Sequence, residues 1–446
     1  MSSKTFSEVT LKDISCLDGY GMVDSPFGSN LPASSYTDVG IPVIRGANLS
    51  LGIERFKDYD YIFVNEQTAN RLHRSSCKPE DIVFTKKGTL GQTGIVSKNS
   101  NFSSFILSSN QMRLRVNRDL ADPMFVYYFA SSPHSRQRIL ADSMTTGVPK
   151  INLGYLRKFK ILLPPLEIQK KIAAVLSAYD DLIENNKRRI TLLENMAEEI
   201  YREWFVRFRF PGYQQAKFEK GIPEGWKIKK FRDIVSYYIG GGWGEENQSL
   251  TFNEGAYVIR GTDIPKLSSG DYSNAIYRHH KTSNFKSRNL EKNDFIFEVS
   301  GGSKNQLLGR NLMISEGILS LFENRVICAS FCKLIRFDRL QVSPYFMKYF
   351  LKLYYQCDLV GIYQVQLTGI SNYQFESFLS YQTIIVPNKK TNDKFEKKIK
   401  PIIEQQENLA FTNQKLIETR DSLLPRLISG KLLVEDLDIQ FPPSML

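Results

Sequence analysis

The chain has 446 residues, 42% of them hydrophobic and 24% charged, with 59 basic against 47 acidic side chains for a net charge of +12. That length suits two or three domains, and the balance is that of a soluble globular protein, which excludes a disordered chain. No apolar run approaches the roughly 18 residues a membrane span needs, and the opening MSSKTFSEVTLKDIS lacks the apolar centre of a signal peptide. A cytoplasmic protein with no membrane partner is expected, and its basic excess favours a polyanion, most often nucleic acid. Five scattered cysteines form no CxxC pair and only four histidines exist. Reduced, buried thiols and no metal site are therefore expected, Cys328 and Cys332 included.

Residues 1–163 read as a first globular unit of class α+β. Apolar runs at Asp81–Lys86, Gly94–Ser97 and Met112–Val116 are strands separated by Gly, Asn and Ser turns, and Pro123–Ser131 is a short amphipathic helix. Three loops carry groups suited to nucleic acid. The first is Arg45-Gly-Ala-Asn48, where Arg45 offers a fork for guanine or phosphate and Asn48 a pair of groups for adenine. Its glycine lets backbone approach a ligand closely. The second, Thr85–Thr93, places Lys86, Lys87, Thr89 and Gln92 on glycine-rich backbone, a mixture fit for phosphate positioning and base-edge readout. The third, Thr145–Lys150, ends on Lys150. For the Arg45 loop, and for its later echo at Arg260, the plainer reading is a tight turn with the arginine solvated.

Residues 164–210 form one long helix. Ile172, Tyr179, Asn186, Leu193 and Ile200 recur every seventh residue, with Leu176, Ile183, Ile190, Ala197 and Trp204 as a neighbouring row and Val175, Leu182 and Met196 between them. That is the 3.5-residue period of a coiled coil. Pro164-Pro165 can open the helix, where a missing N–H costs nothing, and Pro211-Gly212 closes it.

Residues 211–387 then repeat the first unit. Leu11-Lys-Asp-Ile14 returns as Phe231-Arg-Asp-Ile234, Val43-Ile-Arg-Gly46 as Val258-Ile-Arg-Gly261, and Asp81-Ile-Val-Phe84 as Asp294-Phe-Ile-Phe297. Pro123, Phe125, Tyr128 and Phe129 return as Pro344, Phe346, Tyr349 and Phe350; Thr146-Gly147 as Thr368-Gly369; Leu163-Pro164 as Val386-Pro387. Six echoes in one order, at offsets of 213 to 223 residues, are an ancient duplication. The matching loops are Arg260-Gly-Thr262-Asp263 and Ser300–Gln306, the latter carrying Ser303, Lys304, Asn305 and Gln306. They agree in position and differ in sequence, as two readers of different half-sites would.

Residues 388–431 form the second helix, with Ile402, Leu409, Leu416 and Leu423 in one heptad row and Ile403, Ala410, Ile417 and Leu424 in the next, and 432–446 are a tail. Pro401 sits inside this pattern, so the regular helix is expected to start or kink there, and Pro425 acts similarly near the far end. The lysines from Lys389 to Lys400 read as a solvated helix face, the alternative being a phosphate or partner contact. The two apolar stripes most simply bury each other as an antiparallel coiled coil, relating the halves by a pseudo-two-fold axis. Asn186 and Asn413 are placed to fix its register, or to lie solvated at its rim.

No catalytic constellation accompanies these loops. There is no GxxxxGK phosphate loop and no HExxH pair, and the cluster Ile239-Gly-Gly-Gly-Trp243 lacks the strand-loop-helix setting of a nucleotide loop. Leu163-Pro-Pro-Leu166 lacks the Asn or Asp that an adenine methyltransferase places before Pro-Pro.

Nearly the whole chain resembles the specificity subunits of Type I restriction–modification systems. The resemblance rests on the duplication, on Leu163-Pro-Pro-Leu-Glu-Ile-Gln-Lys-Lys-Ile172, on Pro223-Glu-Gly-Trp226, and on Leu424-Pro-Arg-Leu-Ile-Ser-Gly-Lys431. It implies two target recognition domains on an antiparallel helical spacer, reading a split double-stranded DNA sequence. It further implies two methyltransferase subunits docked on the helices, restriction subunits joined to those, and S-adenosylmethionine bound by the methyltransferase and not by this chain. The chain departs at Pro387-Asn388, where the Pro-Pro-Leu-Glu pattern is lost. The competing reading is a coiled-coil scaffold whose two domains bind proteins.

Overall fold

The computed structural model describes the chain apart from residues 1–5, 27, 53, 144–148, 272–274, 302–305, 368–369 and 446. It divides into two compact units, one built from Met1–Asn185 with Lys415–Leu446 and the other from Asn186–Gln414.

The run Ile82–Thr85 shows how the first unit is assembled. All four residues are buried, because successive side chains leave a strand on opposite faces. Ile82 and Phe84 enter one core with Leu11, Met112 and Phe125, while Val83 enters another with Ile44, Cys77 and Phe105. The strand lies inside a four-stranded sheet ordered Met22–Asp24, Gln111–Leu114, Ile82–Thr85, Thr93–Ile95, antiparallel throughout. Beside it, Ile41–Ile44 pairs antiparallel with Ile62–Val64 and parallel with Phe105–Leu107. Ser7–Thr10 pairs with Lys160–Leu163. The helix Pro123–Ser131 is capped by Asp122, whose carboxylate accepts from the Phe125 N–H at 2.9 Å.

The second unit repeats this plan. Its four-stranded sheet runs Val235–Gly240, Cys332–Phe337, Phe295–Glu298, Asn311–Met313. Phe295 and Phe297 enter one core and Ile296 another, as in Ile82–Phe84. Glu254–Ile259 pairs antiparallel with Ile276–His280 and parallel with Val326–Cys328. Lys227–Lys230 pairs with Thr383–Val386. Even one polar device is copied: Arg115 forks onto Asp81 with two bonds of 2.8 Å, and Arg336 onto Asp294 with two of 2.8 Å. The expected duplication and the α+β class are both present.

The two long helices span Leu166–Tyr201 and Lys389–Ile428. The first is followed by a π-helical turn, Arg202–Val206. The second begins where the Pro-Pro-Leu-Glu pattern is missing, because Asn388 serves as its cap and accepts from the Thr391 N–H at 2.9 Å. It neither starts nor breaks at Pro401, contrary to the sequence expectation. Pro401 is exposed, so the carbonyl its missing N–H leaves unbonded faces water.

Within the first unit, Ile168, Ile172 and Leu176 share a core with Leu424, Leu427 and Ile428. Asp180 accepts from the Arg420 guanidinium at 2.6 Å and from the Tyr128 hydroxyl at 2.6 Å. Within the second unit, Asn186 Nδ2 donates to Asn413 Oδ1 at 2.9 Å, both residues buried. Further along, Gln406 donates to Glu194 at 3.0 Å, and the rings of Trp204 and Phe205 lie 5.7 and 4.8 Å from that of Phe395. Partner numbers fall as those of the first helix rise, so in each unit the helical segments run antiparallel. Ile172 and Leu409 are buried, whereas Tyr179, Leu193, Ile200, Leu416 and Leu423 are half-buried at the seam's edge. Leu182 and Met196 do not fill the stripe: they are exposed by 53% and 46%. The lysines from Lys389 to Lys400 are exposed, as a solvated face requires.

Candidate nucleic-acid interface

In the first unit the three expected loops come together. Arg45 follows the strand Ile41–Ile44, and its N–H donates to Asn48 Oδ1 at 2.9 Å. Asn48 Nδ2 donates to the carbonyls of Lys57 at 3.1 Å and Tyr59 at 2.9 Å. Asn48 is therefore not placed to read adenine. It is wholly buried and its amide is consumed in holding the loop. Arg45 is half-buried, with Nη2 donating to the Asp60 carbonyl at 3.0 Å. A Cβ on Gly46 would lie 3.3 Å from Gln92 Oε1, so the first loop rests on the second. Gln92 accepts from Thr85 Oγ1 at 3.3 Å and is half-buried, a supporting position.

The second loop rests in turn on the third. Lys87 bridges to Lys150, and the Ile151 N–H donates to the Lys86 carbonyl at 3.0 Å. Lys86 turns aside to pair with Asp24 at 2.6 Å and is half-buried. Lys87, Thr89 and Lys150 are exposed. Two lysines and a hydroxyl thus stand beside the Arg45 loop on backbone held by strand-like bonds. Thr145 and Thr146 lie outside the described residues.

The second unit builds the corresponding cluster with other side chains. Asp263 takes the place of Asn48: its Oδ2 accepts from the Arg260 N–H at 2.9 Å. The same carboxylate holds the guanidinium, through Nε at 2.9 Å and Nη2 at 2.7 Å. These bonds raise the Arg260 pKa above its ordinary value, and the fork stays charged and fixed in direction. The Arg260 side chain is 37% exposed and Thr262 is exposed. A Cβ on Gly261 would lie 2.4 Å from Glu298 Oε1, so only glycine fits over this buried carboxylate. Glu298 is held by Arg310, which donates through Nε at 2.8 Å and again through Nη2. This charged pair occupies the register positions of Thr85 and Gln92 in the first sheet.

Ser303, Lys304 and Asn305 lie outside the described residues, and Gln306 is half-buried. Before them, Ser300–Gly301 pairs with Ile370–Tyr373, which forms a hairpin with Gln364–Leu367. This is the counterpart of the Lys87–Lys150 bridge. The sequence reading missed the supporting roles of Asp263, Glu298 and Arg310 and most of this hairpin. The acid three residues after Arg260 was the available signal for the first; nothing in sequence marked the others.

The described residues of the clusters offer hydrogen-bond donors and positive charge. Among the described residues no group of three or more His, Cys, Asp or Glu is placed to hold a metal. Cys328 and Cys332 are buried, and burial pushes the Cys328 thiol up to about 12. No described helix is long and apolar enough to cross a membrane.

Residues 5–195 match the family described as Type I restriction modification DNA specificity domain. The "Type I restriction enzyme MjaIX specificity subunit" of Methanocaldococcus jannaschii is 26% identical over 403 residues, 85% of each chain. Residues 5–195 thus match a Type I DNA specificity domain, and the chain along most of its length is similar to Type I specificity subunits. A second relative from that organism, the MjaVIII specificity subunit, is 30% identical over 136 residues, which cover 30% of this chain and 32% of the relative. The solved Type-I restriction-modification S subunit from M. genitalium shares the fold, with a TM-score of 0.54 at 14% identity over 96% of this chain and 97% of that one. Its role is DNA sequence specificity, and the scaffold reading is not favoured.

Proposed function

We propose that this specificity subunit reads a bipartite double-stranded DNA target, one half-site with each unit. It is itself noncatalytic and directs partner methyltransferase subunits, two in number, and restriction subunits to that target in the cytoplasm. S-adenosylmethionine belongs to the methyltransferase. The observation that carries this reading is the loop cluster built twice on one strand frame with different exposed groups. Lys87, Thr89 and Lys150 stand on the first, and Arg260 and Thr262 on the second. A common frame with different reading side chains distinguishes two sequences in the same manner. Lysines and loop backbone would fix register on phosphates, and an aspartate-held arginine fork suits the O6/N7 edge of guanine.

Methyl transfer to DNA tests it. The purified chain alone is expected to transfer nothing, and addition of its cognate methyltransferase subunit should give transfer at one split motif. Robust incorporation by the single chain, or motif choice unchanged when another specificity subunit replaces it, would sink the reading.

A further inference from the structure

The hairpin of the second unit has an outward face of unusual composition. Its register pairs Val365 with Asn372, Gln366 with Ser371 and Leu367 with Ile370, and cross-strand partners share a face. Ser371 and Tyr373 are buried, which turns the opposite face outward. On that face Val365 is 38% and Ile370 50% exposed, with Asn372 exposed beside them. Branched apolar side chains left in water on a short strand find no partner in the unit's own cores. The strand that carries Ile370 also pairs with Ser300–Gly301, so this face is continuous with the loop cluster assigned to DNA. The ribbon is also anchored from behind, since Gln364 Oε1 accepts from the Leu308 N–H at 2.9 Å.

A two-stranded ribbon fits the major groove, about 12 Å wide. The bases show one apolar substituent there, the C5-methyl of thymine, which stands beside the hydrogen-bonding edges that an amide such as Asn372 can read. We propose that the Val365 and Ile370 side chains pack on a thymine C5-methyl in the half-site read by the second unit. This rests on the reading of the two units as DNA readers. It adds to the arginine fork a recognition element made of apolar contact, which the polar loops cannot supply.

The test uses the full chain with its cognate methyltransferase and a duplex carrying the motif found in the host's methylation pattern. Each thymidine is replaced singly by deoxyuridine, which keeps the pairing and removes only the methyl. One or two positions, all in one half-site, should bind about fourfold more weakly per methyl lost. Val365→Ala and Ile370→Ala should weaken the thymidine duplex by a similar factor, and in at least one of them the sensitive position should become indifferent to deoxyuridine. Both side chains are exposed, so the variants keep the fold. Insensitivity at every thymidine overturns the proposal, as does sensitivity undiminished in both variants. Normal DNA binding with lost methyltransferase assembly would make the ribbon a protein-docking face and overturn it too. If the wild-type complex prefers no duplex over any other, the parent reading fails, and this one with it.

Discussion

Arg45 and Arg260 occupy the same loop position and are held differently. Arg45 leans on a carbonyl, Arg260 on a carboxylate that fixes two of its nitrogens. Arg260→Ala should therefore relax one base-pair position and weaken the cognate site by about 1–3 kcal/mol. Lys87→Ala should weaken all sequences alike and lower the slope of log affinity against log salt by about one. Binding curves at matched ionic strength, on cognate and scrambled duplexes, separate the two; wild-type curves from both variants would place neither residue on DNA. Asn48 belongs to a third class. Its truncation to alanine removes three hydrogen bonds, from the Arg45 N–H and to the carbonyls of Lys57 and Tyr59, at about 1 kcal/mol each. It should lower the unfolding temperature before it alters sequence preference. From the sequence, Asn48 and Asp263 were polar residues in glycine-bearing loops. Whether such a side chain faces out or folds back on its own backbone depends on which N–H lies three residues behind it, and that is settled only in three dimensions.

The helices were the most legible elements, because an apolar residue at every seventh position keeps to one side of a helix and to no one side of a strand. Their ends were less so: Pro401 reads as a breaker, yet a proline on the wet side of a long packed helix loses one bond that water replaces. Leu182 and Met196 fit the apolar pattern and still lie outside the seam, since period alone does not say how wide the buried stripe is. What no periodicity indicates is the polar chemistry between the stripes. Glu194 is largely buried, and burial alone would raise its pKa. The charges of Lys348 and Lys352 and the bonds from Lys352 and Gln406 outweigh this and hold it at about 2 against an ordinary 4.5. A carboxylate with a depressed folded-state pKa stabilises fully above its unfolded value and loses that contribution as pH falls through the folded one. The second unit should thus lose stability steeply between pH 4.5 and 2. Glu194→Gln, less stable at neutral pH, should show a shallower slope across that window. Parallel acid-unfolding curves for the two proteins would count against the assignment.

At the scale of the molecule the sequence reads as domain, helix, domain, helix, and the repeat was legible because its echoes keep their order. The compact units are drawn differently, across the helices at 185/186 and 414/415. The first unit takes Leu424, Leu427, Ile428 and Val434 into its core from the far end of the chain. It also takes Arg420, whose loss leaves the Asp180 carboxylate buried without its cation, a cost of about 3–5 kcal/mol. A chain stopped after Gln414 should leave Asn186–Gln414 protected from hydrogen exchange while residues 6–185 lose protection. Equal protection in both segments would show that residues 415–446 are not part of that core.

The same division sets an order of events on the ribosome. Chains usually fold from the N-terminus as they emerge, at about 5–20 residues each second. Here the second unit is continuous, and all of it has been synthesised while residues 415 to 446 are still being added. The first unit, though made first, lacks Leu424, Leu427, Ile428 and Val434 of its core until that segment is added. The apolar side chains that this last strip of helix covers in the finished unit therefore stay without that cover longest, until it follows the second unit out of the ribosome.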